Sequence, residues 1–199
     1  MRNSSDQETL AFLVKHANKL DPKIKAAIEA NDVKIIECNH FLKVDLTDNK
    51  NILLELSSAA LRGVNTFDKG KTPSLENIVL KGLRLSHAKV VTADIPLGAA
   101  KFSSVVDAAI DPAWLNGTLI FKQDNKEILR MPVSRFYHAA ATDRAQEYEG
   151  LNFENFRLIK ADTSLDITFE YPQGVSITPG AGNSFYAQIE FKGGQTTAK

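Results

Sequence analysis

The chain has 199 residues, 43% hydrophobic and 24% charged, enough for one large domain or a compact domain with an appendage. Its 24 basic residues balance 24 acidic ones, and a formal net charge of zero argues against a general polyanion binder and removes the self-repulsion that keeps copies apart. Cys38 is the single cysteine, which excludes an intrachain disulfide, and no apolar run approaches the roughly 20 residues that span a bilayer. The start, Met1 to Glu8, lacks the apolar core of a signal peptide, so the expectation is a soluble protein made in a reducing compartment.

Ser5 and Glu8 have the spacing of a capping box, and Leu10, Leu13, Val14 and Ala17 follow at helical intervals. This predicts an amphipathic helix over 6–19. Asp21-Pro22 reads as an N-cap and first helical position for a second helix to about Ala30, with Ile24, Ala27 and Ile28 as its apolar stripe. Residues 1–32 therefore form a helical segment, and residues 33–199 a β-rich body. Two such helices either pad an edge of the body or reach out to a neighbour, and padding is the commoner fate of an amphipathic face.

From Val33 the period changes to that of strands. Val33–Cys38 and Phe41–Leu46 read as strands, and Ile52–Leu56 is apolar enough to lie centrally in a sheet. Residues 59–75 carry Gly63, Gly70 and Pro73 and form a loop with at most one helical turn. Ile78–Leu85 is a strand interrupted by Gly82, the signature of a bulge or a close backbone approach. Between Lys89 and Asn116 the signals are poor: Ser104–Ala109 reads as a helical turn, Asp111-Pro112 opens another, and Trp114 is placed as a plug at one end of the core.

Thr118–Lys122 and Glu127–Met131 flank a hairpin with Asp124-Asn125 at its tip. Tyr137–Gly150 is a polar, alanine-rich loop or short helix, and Phe153–Lys160 is a further strand. The clearest pattern comes last. Leu165, Ile167, Phe169 and Tyr171 alternate with polar residues, as do Phe185, Ala187, Ile189 and Phe191, so each strand has one apolar and one polar face. About eight to ten strands without alternating long helices predict a mainly β fold: an antiparallel jelly-roll-like β-sandwich preceded by two short N-terminal helices. The long connections 59–75 and 86–116 suit crossovers between two sheets.

Signatures of chemistry are sparse. Lys69-Gly70-Lys71-Thr72 ends like a phosphate-binding loop, but Asn65 stands where the motif needs glycine and Pro73 follows at once. Cys38-Asn39-His40 brings a thiol and an imidazole together, short of the three or four converging ligands of a zinc site; His16, His87 and His138 have no ligand spacing. The same pair lacks any motif for a nucleophile with its base and oxyanion donors, and there is no Gly-x-Ser-x-Gly elbow. Asp107, Asp111, Glu147 and Glu149 are the acids a sandwich glycosidase could bring together, and nothing sets them apart from solvated surface acids. Tyr186, on the polar face of its strand, and Tyr137 and Tyr148, flanking the alanine-rich loop, are the rings a sugar-binding module would expose. No residue is assigned a catalytic, cofactor-binding or metal-binding role, and no cofactor is expected.

Three stretches carry a resemblance: Leu75-Glu-Asn-Ile-Val-Leu-Lys-Gly-Leu-Arg-Leu, Asn116-Gly-Thr-Leu-Ile-Phe-Lys-Gln-Asp-Asn-Lys-Glu-Ile-Leu-Arg-Met-Pro, and Ser184-Phe-Tyr-Ala-Gln-Ile-Glu-Phe-Lys-Gly. Across residues 33–194 their order resembles the jelly-roll coat proteins of viruses and bacteriophages. The chain is too short for two fused jelly rolls, and the N-terminal helices depart from a minimal coat domain. The resemblance implies a non-enzymatic virion structural protein, a capsid or coat subunit synthesised in the host cytoplasm. Such a subunit packs with identical copies or other shell proteins, burying interfaces of roughly 800 Å² per partner. Candidate contact elements are the first helix (Leu10, Leu13, Val14) and the loops 59–75 and 137–150. The competing expectations are a carbohydrate- or receptor-binding sandwich module, and an enzyme with a site assembled from distant residues.

Overall fold

The computed structural model describes residues 4–30, 32–48, 50–91, 95–137 and 150–197. Among the described residues two helices, α1 (Ser4–Lys15) and α2 (Pro22–Glu29), lead into nine strands. Asp21 caps α2 as its sequence implies, its carboxylate accepting from the Lys23 amide at 2.8 Å with Pro22 in the first turn. The capping box expected in α1 does not form. Ser5 lies inside the helix, and the Glu8 carboxylate meets Lys81 Nζ at 3.0 Å. The same ammonium donates to the Ser5 carbonyl and hydroxyl, so a cation on the sheet draws both groups away from the helix backbone.

The strands are β1 (Lys34–Glu37), β2 (Phe41–Asp45), β3 (Ile52–Leu54), β4 (Ile78–Val91), β5 (Thr118–Gln123), β6 (Lys126–Pro132), β7 (Leu151–Ile159), β8 (Leu165–Glu170) and β9 (Asn183–Thr197). They pair in nested antiparallel fashion: β2 with β9, β3 with β8, β4 with β7 and β5 with β6. Such nesting is what results when one long hairpin is folded over on itself. The fold-over brings β9 beside β4 and β8 beside β5. One sheet therefore runs β1/β2–β9–β4–β7 and the other β3–β8–β5–β6. This is a jelly roll, as the strand count and connection lengths predicted.

β1 and β2 act as one strand. Lys34 faces Thr197 and Asp45 faces Tyr186 on a single register, and the ladder continues between them through Cys38 N to Gly193 O (3.0 Å) and Phe191 N to His40 O (2.9 Å). The irregularity expected at Gly82 is present: the register of β4 shifts between Leu80 and Gly82 against both neighbours. A Cβ on Gly82 would lie 2.3 Å from the Leu151 carbonyl, which is why no side chain fits there. The β5–β6 hairpin turns at Asp124 and Asn125, with φ of 49° and 63°, the left-handed pair that a two-residue turn requires.

Two expectations are corrected. β3 is a sheet edge, not a central strand, and only three residues long. Its register shift between Ile52 and Leu54 lets the consecutive Leu53 and Leu54 both be buried, so a bulge, not two-sided sheet burial, explains the continuous apolar run. Residues 104–109 form no helical turn; Ser103 pairs with His87 of β4, and the segment stays extended up to a turn near Ala109. The turn opened by Asp111 is present as α3 (Pro112–Leu115), with Asp111 accepting from the Ala113 amide at 2.8 Å.

Side chains from both sheets fill the interior. Phe121 of β5 meets Phe191 of β9 with ring centres 5.6 Å apart, and Trp114 bridges Phe169 of β8 and Phe185 of β9 at 5.0 and 6.4 Å. Trp114 is fully buried and its indole N–H donates to the Tyr137 hydroxyl at 2.9 Å, so it plugs the core as expected. Outside the first sheet, Leu13, Leu20, Ile24 and Ile28 of the helical segment bury against Val33 and Val79. The helices pad the body, over a sheet face and not along an edge. At the other end of that face, the segment 95–102 covers Ala88, Val90 and Tyr186 with Leu97, Ala100 and Phe102.

Candidate functional site

Between those two covers the outer face of the first sheet is left open. Residues on alternate positions of a strand share a face, so Gln188, Glu190 and Lys192 of β9 point outward there beside Arg84 of β4. Lys81, at the β4 bulge, and Asn152 of β7 complete the floor; Ser5 and Asp6 of α1 and the extended link Glu37–His40 between β1 and β2 form the walls. The groove has a volume of about 890 Å³.

Its polar groups are paired with one another. Arg84 meets Glu190 at 3.4 Å, Gln188 donates to the same Glu190 carboxylate, and Lys192 lies 3.5 Å from the Asn152 side-chain oxygen. Lys43 donates to the Gly98 carbonyl at 3.2 Å and sits over the Phe102 ring at 5.4 Å. The arrangement offers charge pairs and hydrogen bonds to a polar surface. Among the described residues that line it, no nucleophile is held by a base, the geometry that covalent chemistry needs.

Cys38 and His40 lie at the groove wall and do different things. Burial pushes the Cys38 thiol up to about 12, which disfavours the thiolate a nucleophile needs, and the side chain packs as a core residue. His40 stacks on Phe67 with centroids 4.8 Å apart. Its Nδ1 is 3.1 Å from Thr66 Oγ1 and its Nε2 3.5 Å from Glu76 Oε2, which also accepts from Gln195 at 3.3 Å. Among the described residues, no three His, Cys, Asp or Glu side chains converge as metal ligands would.

Burial lowers the His40 pKa below that of an ordinary imidazole. Between pH 8 and 5.5 the unfolded chain therefore takes up a proton that the native state resists, and stability falls as the pH drops through the free imidazole value. Glu76 runs the other way, because burial raises its pKa and acid relieves that penalty. In His40→Phe, which keeps the ring stack, the loss of denaturation midpoint from pH 8 to 5.5 should be smaller than in the wild type. Urea titrations at the two pH values measure it.

The remaining residues raised by the sequence are committed elsewhere. Lys69-Gly70-Lys71-Thr72 is a strut, not a phosphate cradle: the Gly70 carbonyl accepts from Leu165 N at 2.7 Å, and Thr72, 2% exposed, donates to the Lys160 carbonyl at 2.5 Å. Asp111 binds two backbone amides, Ala113 and Thr178, and Asp107 binds His87 at 3.0 Å. Asp111 is buried and tied to backbone, and Asp107, though partly exposed, is held by His87, so neither is free for a glycosidase pair. Glu147, Glu149, Tyr148 and His138 lie outside the described residues.

The tyrosine expectation is corrected. Tyr186 does sit on the outward face of β9, but the 95–102 segment covers it to 4% exposure and its hydroxyl lies 3.4 Å from the Ile95 carbonyl. Tyr137 is also buried, under Trp114 and against the ring of His87 at 5.5 Å. Neither ring can stack on a sugar in solution. The groove itself was missed by the sequence reading, because its floor comes from three strands and its walls from a helix and the extended link between β1 and β2. The only local sign was the polar alternation Gln188, Glu190, Lys192. No protein-family model, curated protein or solved structure matches the chain.

Proposed function

We propose that the chain is a virion structural subunit, a capsid or coat-type protein that packs with copies of itself or with other shell proteins. The observation that carries this reading is the jelly-roll order of strands around an interior packed solid with aromatic rings. A jelly roll built to hold a small ligand keeps space between its sheets. Here Trp114, Phe67, Phe121, Phe136, Phe169 and Phe185 fill it, each fully buried or nearly so. A stiff, filled sandwich suits a mechanical role.

The distribution of exposed apolar residues supports the same reading. Val91 at the end of β4, Ile95 and Val106 in the β4–β5 connection, and Val175 in the β8–β9 connection are all more than a third exposed. The topology puts these connections at one end of the sandwich, where Val91 pairs with Asn183 and Asp111 binds Thr178 N. Exposed apolar residues gathered at one end mark a contact surface more often than chance solvent exposure. Within the expected contact elements, Leu13 of α1 is buried in the chain's own core and unavailable, while Val14 (55%) and Leu61 (58%) are exposed. Burial of Tyr186 and Tyr137 takes away two of the three rings a sugar-binding module would have used; the third, Tyr148, lies outside the described residues.

Size-exclusion chromatography with light scattering over a rising concentration series tests the reading. Self-association that weakens when Val106 and Val175 are both changed to Asp is the expected result. A strict monomer at every concentration, with no binding to other shell proteins, would overturn it.

A further inference from the structure

His87 sits on β4 with its side chain fully enclosed, and it ties together three parts of one end of the sandwich. Its ring stacks on Phe185 of β9 (5.9 Å, 16°) and tilts against Tyr137, which follows β6 (5.5 Å). Its backbone exchanges two hydrogen bonds with Ser103, each 2.8 Å, and its Nε2 lies 3.0 Å from Asp107 Oδ1. Ser103 and Asp107 belong to the connection between β4 and β5. Among its described residues that connection has a short turn at Leu97–Ala99 and α3 as its regular structure, so its attachment rests on bonds of this kind.

We propose that the His87–Asp107 pair is an acid-sensitive latch that holds the segment 95–110 against the first sheet and lets it open when His87 is protonated. The chemistry follows from which nitrogen is free. A carboxylate at 3.0 Å requires Nε2 to be the donor, so the neutral ring leaves Nδ1 as a bare acceptor. Nδ1 is buried and, among the described residues, makes no hydrogen bond. The second proton of an imidazolium must go onto that atom, creating a buried N–H whose acceptor among the described residues is the Ser103 carbonyl, already taken by the His87 amide.

Asp107 favours the cation from the other side of the ring, but it is itself partly solvated, with its side chain 43% exposed, which weakens the attraction. Among the described residues, the groups facing the ring are Asp107 and Ser103 from the connection, Tyr137 from the segment after β6, and the apolar Phe185 from β9. Burial keeps the Tyr137 phenol protonated, so it adds no charge. The balance is consistent with burial depressing the basicity of His87 in spite of the Asp107 bond.

Opening has a defined consequence. The segment 95–102 covers Ala88, Val90 and Tyr186, so its release bares an apolar patch beside Val91 on the end that already exposes Val106 and Val175. The latch thus couples pH to the apolar area available for contact.

Hydrogen exchange of the full chain at pH 7.5 and 5.0, corrected for the intrinsic pH dependence of exchange, tests the latch. Peptides covering 95–110 should lose protection about tenfold at pH 5.0, while β5 and β8 stay protected. His87→Gln, which keeps an N–H donor for Asp107 but does not titrate, should hold its protection at both pH values. Asp107→Asn should be open already at pH 7.5. Unchanged wild-type protection, or an equal loss in His87→Gln, overturns the proposal. So does an NMR titration of the wild-type ring that places His87 at or above the ordinary imidazole value, a measurement that needs no variant to fold.

Discussion

Gly193→Ala should be the most damaging single-methyl change in the chain. Gly193 lies in β9 opposite the β4 bulge with φ of 152°, a conformation that residues with a side chain rarely adopt. A Cβ there would come within 2.0 Å of the Val79 carbonyl oxygen and 3.0 Å of Lys81 N, both backbone atoms of a central strand that cannot move aside. Strain of about 1–3 kcal/mol for the backbone adds to about 1–3 kcal/mol for overpacking, a total on the order of 4 kcal/mol. That is a large share of the roughly 5–15 kcal/mol that stabilises a domain. Gly174→Ala is the matched control. Gly174 has φ of 72° and nothing within 4 Å of the added methyl, so it carries only the backbone term. Urea unfolding of the two variants separates strain from collision: equal losses would contradict the bulge geometry.

The second large effect is at Trp114. Trp114→Ala removes a fully buried indole packed between Phe169 and Phe185, and leaves the buried Tyr137 hydroxyl without its donor. Large-to-small changes of this kind cost about 3–5 kcal/mol, the spread depending on how far the site collapses. Trp114→Phe keeps much of the ring but still strands the hydroxyl, for about 1–3 kcal/mol. Adding Tyr137→Phe to Trp114→Phe should restore part of that loss, because two missing partners cost less than one orphan. A double-mutant cycle in urea reads the coupling, and strict additivity would show that the bond carries no weight.

Much of the sandwich was legible because one face of each strand is buried and one is wet. In β8, Leu165, Ile167 and Phe169 are buried while Asp166 and Thr168 are not, which is the alternation the sequence displays. The Asp124-Asn125 tip and the Asp21 and Asp111 caps were legible for local reasons: the tip residues tolerate the left-handed backbone of a tight turn, and each cap satisfies an amide two residues on.

What escaped depends on contacts distant in sequence. β9 runs on to Thr197 although Gly193, Gly194 and Gln195 look like a loop, because α1 supplies the cover: Thr9 packs against Gly194, where a Cβ would lie 2.7 Å from its hydroxyl. β4 continues through Ser86, His87 and Lys89 for a similar reason. The inward His87 finds Asp107 twenty residues on, and polar character there reads as the end of a strand until that partner is known. Tyr186 was assigned the correct face and the wrong environment, since the cover over it belongs to the 95–102 segment. The groove had no motif to announce it. Its floor is drawn from β4, β7 and β9, and strand order, not spacing, brings Arg84, Asn152 and Glu190 together.

The central claim is that this jelly roll exists to be packed into a larger symmetric body. Negative-stain electron microscopy of the purified protein at low and at high concentration addresses that claim directly. The account predicts closed rings, vertex-like clusters or shells of uniform size. A field of isolated single subunits under both conditions would contradict it.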